Sequence, residues 1–375
     1  MKILDRYVIT EMFWPFISGV AIFTILFIAG GQLFVVTRMI TEDKTPISTA
    51  LYYLANTIPS ILVFTFPMAV LLAALLAFGR LSGESELVAL RAGGVSFLRI
   101  TMPALFTALL ITLFAFYLNN EVAPESTYIA QTILFDQLTK NRDLIREDFV
   151  LKGTEEDGAE RVIFSRKLLP RENRMEDVTI QYYNGRMLIR QVRAKDVHYK
   201  PGEMKWFLKH AYIEDYTKGP EPNYFSEADE VYLPLDKSPM QLAKDRDRRP
   251  EEMNRRQLKD KLRQMKEEGF TSGEDEEKLK RYREYEVFYH QKVAIPVTCL
   301  VFGLFGVPLG IRPHRASRAI GLGISIVFIF MYYVLMTAGM ALGRNGPVPP
   351  LWAAWLPNIV FGIAGLILLY RMTKH

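Results

Sequence analysis

Six stretches of the chain contain no Asp, Glu, Lys, Arg or His: Trp14–Val36, Ile58–Phe78, Ile100–Leu118, Val293–Ile311, Ala319–Met340 and Ala353–Tyr370. A helix crosses a bilayer with about 20 apolar residues at about 1.5 Å rise each, so every one of these runs is long enough to span. Prolines fall inside them (Pro15, Pro59, Pro67, Pro103, Pro296, Pro308, Pro357). In a soluble helix each would cost about 3 kcal/mol, whereas a membrane bundle tolerates them because neighbouring helices satisfy the freed carbonyls. The mean hydropathy of the whole chain is only +0.07, because the middle is dense in charged residues. A chain so divided is neither an ordinary soluble enzyme nor a disordered one.

The first run is too long for the apolar segment of a cleaved signal peptide and is expected to remain as helix 1. Ahead of it, residues 1–12 set Ile3, Leu4, Tyr7 and Val8 against Lys2, Asp5 and Arg6, the pattern of a short helix lying in the interface. Orientation follows from Lys and Arg in the short loops. One side carries Lys2, Arg6, Arg80, Arg91, Arg99, Arg312, Arg315, Arg318, Arg371 and Lys374; the other carries Arg38, Lys44 and Arg344. Both termini are therefore expected in the cytoplasm, with the long segment between helices 3 and 4 outside.

That segment changes period twice. From about residue 150 to 235 apolar and polar residues alternate, as in Arg161-Val162-Ile163-Phe164-Ser165, and Asn184-Gly185 between two such runs signals a hairpin. Several short strands at roughly ten-residue spacing suggest an antiparallel sandwich or jelly roll, with Trp206, Phe207, Tyr212, Tyr224, Phe225 and Tyr232 expected in its core. Residues 239–269 and 274–291 are then charged and helical, broken at Gly269 and Gly273, with Glu251/Arg255, Glu252/Arg256, Glu277/Arg281 and Lys278/Tyr282 at i,i+4. The expected fold is thus membrane α+β: six transmembrane helices, three plus three, around a large extracytoplasmic antiparallel β domain that is jelly-roll-like. Its boundaries fall at 1–120, 140–238, 239–291 (a charged helical linker) and 292–375.

Much chemistry is absent from the sequence. The lone cysteine, Cys299, excludes an internal disulfide framework, and the scattered histidines (His198, His210, His290, His314, His375) and missing CxxC pairs offer no metal site. No phosphate-binding loop, GxSxG, HExxH or GxGxxG occurs, so no cofactor is expected. The formal charge of +5 is placed for a membrane surface and not for nucleic acid, since acids and bases alternate in the charged middle. Ion-coupled transporters place carboxylates or histidines inside the membrane as relays, and the six runs hold none. If the protein moves something, energy is expected to enter from a partner outside the bilayer.

An entry point lies between helices 2 and 3, over Gly79–Gly94. Ser82 can cap a short helix with Glu84 and Glu86 in its positive first turn, Arg91 in its last turn and Gly93-Gly94 ending it; Leu87, Val88 and Leu90 give it an apolar face. It reads either as a plain interfacial loop helix or as one whose carboxylates meet a partner's arginine.

With these residues the chain resembles the LptF/LptG family of lipopolysaccharide export permeases along essentially its whole length. The resemblance rests on Leu4-Asp5-Arg6-Tyr7, Phe66-Pro67-Met68-Ala69, Ser85-Glu86-Leu87-Val88-Ala89-Leu90-Arg91-Ala92-Gly93 and His290-Gln291-Lys292-Val293-Ala294-Ile295-Pro296, in that order. It implies a permease subunit of an ABC transporter in the inner membrane, not itself an enzyme. Its partners would be a second LptF/LptG-type permease, an LptB-like cytoplasmic ATPase dimer, LptC/LptA-like periplasmic bridge proteins and lipopolysaccharide. By the same resemblance Glu86, with Glu84, Leu87, Leu90 and Arg91, couples to the ATPase, and Arg38 touches substrate phosphates, with Lys44 and Arg344 as further candidates. Arg38 also has a simpler reading, as a snorkelling interface anchor. Two other functions stay open: a membrane-bound lipid-modifying transferase, for which only Glu121 and Glu125 lie just beyond helix 3 and helix capping explains both, and a mechanotransmission ABC protein.

Overall fold

The computed structural model describes residues 3–141, 146–154, 160–169, 172–185, 187–203, 205–217, 224–233, 235, 238–239, 242, 248–271, 275–311 and 318–374. Of the charges used above for orientation, Lys2, Arg312 and Arg315 lie outside the described residues. The chain divides into two compact units, residues 1–131 with 248–375, and residues 132–247.

The first unit is helical. Its elements are α1 (Ile3–Phe27), α2 (Leu33–Thr41), α3 (Ile47–Gly83), the short α4 (Glu86–Ala92), α5 (Phe97–Tyr117), the first half of α6 (Ala123–Asn141, whose residues from Thr132 on belong to the second unit), α7 (Arg255–Glu267), α8 (Glu276–Gly310), α9 (Arg318–Asn345) and α10 (Pro350–Lys374). One-turn π segments, Ile28–Gln32 and Leu118–Val122, join α1 to α2 and α5 to α6. Six of the resulting helices are long and apolar enough to cross a membrane. They reach well beyond the apolar runs. In particular α1 starts at Ile3, so the interfacial helix expected over residues 1–12 is instead the first turns of the first span, held by buried Val8 and Met12 against Phe78 and Leu81.

α3 is the axis of the bundle. Met68–Leu75 is buried on every side, as expected of a helix that is apolar all round. Small residues set the closest approach to α8: a Cβ on Gly306 would stand 2.9 Å from the Ala74 Cβ, and one on Gly310 2.9 Å from the Phe78 Cβ. Without a hydrophobic drive between helices in lipid, such backbone proximity supplies the packing energy. The opposite surfaces stay apolar and exposed, with Trp14 at 69%, Phe34 at 74% and Phe330 at 70%, which suits acyl chains as solvent.

Pro296 shows how a proline is accommodated. It has no N–H, so the Lys292 carbonyl four residues back loses its helical donor. Asn119, in the π segment at the end of α5, donates its Nδ2 to that carbonyl at 3.1 Å, and its own carbonyl accepts from the Lys292 Nζ at 3.4 Å. Lys292 is buried although the apolar run begins one residue later. The runs hold no Asp, Glu, Lys, Arg or His, but the bundle encloses this lysine. Deeper in, Thr298, Tyr332 and Asn358 bond to one another, and Asn358 Nδ2 donates to the Ala294 carbonyl at 2.7 Å.

The second unit is a six-stranded antiparallel sheet: β1 (Arg146–Thr154), β2 (Glu160–Leu169), β3 (Arg174–Asn184), β4 (Met187–Lys200), β5 (Lys205–Asp215) and β6 (Tyr224–Leu233), paired in sequential order. This is an antiparallel β domain inserted between two three-helix halves, as expected. The described pairings make a meander, with no crossover between non-neighbouring strands. Alternation places Ile163, Val178, Ile180, Val197, Trp206 and Leu208 in one core. The hairpin at Asn184-Gly185 forms with its turn one residue later than the dipeptide suggests: Asn184 pairs with Met187, and Gly185 takes φ +62°. Of the aromatics expected inside, Trp206 is fully buried, but Tyr212 is 57% and Tyr232 44% exposed. They stand on the outer face, where Lys205 lies over the Tyr232 ring. The side chains of Tyr224 and Phe225 lie outside the described residues.

The charged linker also differs. Pro239 and Leu242 are helical, as expected, but a helix begins anew at Arg255, after a turn at Pro250–Glu252 and an Asn254 cap boxed with Gln257, and it ends at Gly269 with φ +81°. From Glu276 the chain runs without a break through the fourth span. Glu251 and Glu252 precede α7, so they do not share a helix with Arg255 and Arg256. The ion pairs that form in the next helix are Glu276–Lys280 and Asp275–Lys278.

Candidate functional site

The short helix lies at the end of the bundle where α1 and α5 begin and α3 ends. Ser82, the expected cap, belongs to the last turn of α3. The break comes at Ser85, whose φ of +59° reverses the chain, and no side chain caps α4. Its far end is closed as anticipated. Gly94 takes φ +84° and donates to the Arg91 carbonyl, and Val95 donates to the Leu90 carbonyl, so two otherwise orphaned carbonyls are met by a glycine-terminated turn.

α4 is fixed to the bundle through both a hydrophobic and an ionic contact. Leu87 is buried among Val8, Phe78, Leu81 and Phe97, with Leu90 packed at the edge. The carboxylates are not free. Glu84 pairs with Arg80 at 3.0 Å, and Glu86 accepts from the Tyr7 hydroxyl at 2.5 Å and lies 3.8 Å from Arg80. Arg80 also pairs with Glu11 at 2.7 Å and donates to the Tyr7 hydroxyl at 2.6 Å. One guanidinium, with its fixed fork of donors, thus ties α1, α3 and α4 together. Asp5 meets Arg99 at 2.6 Å beside it. Val88, Ala89 and Arg91 form the outward face, and Arg91 has no ion pair among the described residues.

Sequence reasoning used Arg80 only as a positive charge and missed it as an organiser. The signal available was the acidic and aromatic pattern of residues 5–11, which leaves Tyr7 and Glu11 on one helical face at i,i+4.

The three cations at the other end do not converge. Arg38, in the last turn of α2, pairs with Glu42 at 3.0 Å with both side chains about half exposed or more. Lys44 follows with φ +49° in the turn to α3. Arg344, at the end of α9, pairs with Glu284 of α8 at 3.7 Å. The alternation of the spans puts all three at the end opposite α4, and no contact joins them. Glu121 and Glu125 do not cap a helix. Glu121 sits in the π segment, and Glu125 in α6 pairs with Arg248 at 3.0 Å. No cluster of three metal-binding side chains occurs among the described residues.

Two three-helix halves, an inserted antiparallel domain and a short helix packed against the end of the second span define a polytopic membrane protein. Comparison with known proteins makes this specific. A family model described as lipopolysaccharide export system permease LptF/LptG matches residues 6–371. Lipopolysaccharide export system permease protein LptG of Haemophilus influenzae is 24% identical over 328 residues, 86% of each chain. The protein of the same name from Escherichia coli K12 is 24% identical over 98% of each. An uncharacterized protein of Rickettsia prowazekii matches a shorter part, 28% identical over 100 residues. The chain belongs to the LptF/LptG family of lipopolysaccharide export permeases, and it is a multi-pass inner-membrane protein.

Proposed function

We propose that this chain is one permease half of an ABC transporter that extracts lipopolysaccharide from the inner membrane and passes it to periplasmic β-jellyroll bridge proteins of the LptC/LptA kind. An LptB-like ATPase dimer binds in the cytoplasm, and a second LptF/LptG-type permease completes the pair. Both termini are cytoplasmic and the β domain is periplasmic. The working parts are residues 1–120, 140–238, 239–291 and 292–375.

The observation that carries this reading is the clamp on α4. A helix that delivers a push needs a stiff attachment, and Arg80, Tyr7 and the buried Leu87 provide one from three directions. The ATPase then meets Glu84, Glu86, Leu90 and Arg91, whereas Leu87, expected in the same contact, is turned into the bundle and anchors the helix instead; Arg38, Lys44 and Arg344 at the opposite end take substrate phosphates by charge-assisted bonds of about 1.5–3 kcal/mol where desolvated. Glu86→Lys reverses the charge beside Arg80. It is expected to lower ATPase copurification or leave ATP hydrolysis uncoupled from lipopolysaccharide release. Normal assembly and normal export by Glu86→Lys would remove the coupling role.

A further inference from the structure

A cavity of about 310 Å³ opens among α3, α6, α8 and α9, away from the short helix. Most of its wall is apolar, from Phe64, Ile295, Met336 and Met340. Polar residues interrupt it, Ser60, Asn119 and Thr127 among them, and three more bear on a charged ligand. The Lys292 side chain is buried, and among the described residues its ammonium makes a single long hydrogen bond, to the Asn119 carbonyl at 3.4 Å, and no ion pair. Gln291 is 4% exposed and its Nε2 has no partner. Glu251 stands exposed at the rim and forms no ion pair with the lysine.

Burying an ammonium whose facing carboxylate, Glu251, attracts it only from beyond ion-pair distance is costly, and an unmet amide donor beside it adds to that cost. Both groups are donors and both call for an oxygen anion. The carboxylate at the rim calls for a cation. A ligand that satisfies all three therefore carries a phosphate and an amine on adjacent atoms, with an alkyl part for the apolar wall. We propose that the cavity holds the headgroup of a zwitterionic phospholipid of the phosphoethanolamine type. The phosphate sits on Lys292 and Gln291, the amine on Glu251, and the chain starts along Phe64, Met336 and Met340. All of these residues belong to one chain and one compact unit, so the site needs no partner subunit. It is a resident-lipid site and stands whether or not the chain exports lipopolysaccharide.

The test is native mass spectrometry of the full-length chain extracted from its membrane and stripped of loosely held lipid. The probes offered back are phosphatidylethanolamine, phosphatidylglycerol, lipopolysaccharide, free phosphoethanolamine and inorganic phosphate. Wild type is expected to keep one phosphatidylethanolamine. Lys292→Met should weaken retention by about tenfold, a change of the size a lost charge-assisted contact produces, while Lys292→Arg keeps it. Glu251→Gln, at an exposed position where folding is not at stake, should still hold a phospholipid but lose the preference for phosphatidylethanolamine over phosphatidylglycerol. The proposal is overturned by undiminished retention in Lys292→Met, by equal binding of the two phospholipids to wild type, or by an unchanged preference in Glu251→Gln. Retention of lipopolysaccharide in place of phospholipid, or saturation by a free phosphate compound with no lipid held, overturns it as well.

Discussion

Replacing Arg80 by Met keeps a long side chain on α3 but removes the cation from between Glu11, Glu84 and Glu86. The Arg80 and Glu11 side chains are each 26% exposed, whereas Glu84 is 49% exposed. The Glu84 pair is therefore of the surface kind, at most about 1 kcal/mol. The ion pair with Glu11 is better shielded, and the hydrogen bond to the Tyr7 hydroxyl is charge-assisted, toward the lower end of about 1.5–3 kcal/mol. Without Arg80 the remaining carboxylates also repel. We expect about 2 kcal/mol of this to fall on the docked state of α4, a factor of about 30 in its population. The readout is amide hydrogen exchange in lipid nanodiscs, where the residues from Ala89 to Val95, whose N–H groups close the short helix, should exchange faster by about that factor. Arg80→Lys should show a smaller change, and peptides of the β domain none. Unaltered protection of these amides in a folded Arg80→Met protein would show that Leu87 alone holds the helix, and the clamp argument would fail.

Two further outcomes follow from the packing. Asn119→Ala strands the Lys292 carbonyl and should lower thermal stability by about 1–3 kcal/mol. Adding Pro296→Ala returns a helical N–H to that carbonyl, so in scanning calorimetry the double variant should be less damaged than the sum of the two, and strict additivity would contradict the proposed rescue. Gly306→Val drives a side chain into Ala74 and Leu71 of α3 and should cost about 1–3 kcal/mol; Gly362→Ala, where nothing lies within 4 Å, serves as the neutral control, and equal melting of the two variants would argue against close α3–α8 contact.

The spans and the β domain were readable in advance because their signals are local. An uncharged run and a two-residue alternation each report the solvent on either side of a backbone. Element ends were less readable. Ser82 looks like a cap, but α3 is long enough to absorb it, and the reversal falls on Ser85 in a left-handed conformation that no propensity favours. Tyr212 and Tyr232 are apolar enough for a core, yet strand phase turns them outward. Lys292 lies one residue before an uncharged run, so the run by itself does not include it. Helix α8 begins sixteen residues earlier, so this lysine is drawn inside.

From the order of residues alone come six crossings, an antiparallel insertion of alternating strands, and a short helix closed by Gly93-Gly94. These depend on transfer of apolar side chains and on backbone geometry, which act over a few residues. The partner of each charge could not be read that way. Glu86 bonds to a tyrosine 79 positions away, Asn119 to a carbonyl 173 positions away, and Arg80 meets groups on α1 and α4 besides Glu84 at the end of its own helix. Such pairings exist only once the helices pack, because a buried polar group takes whatever complementary atom the fold brings within reach and loses heavily when none arrives.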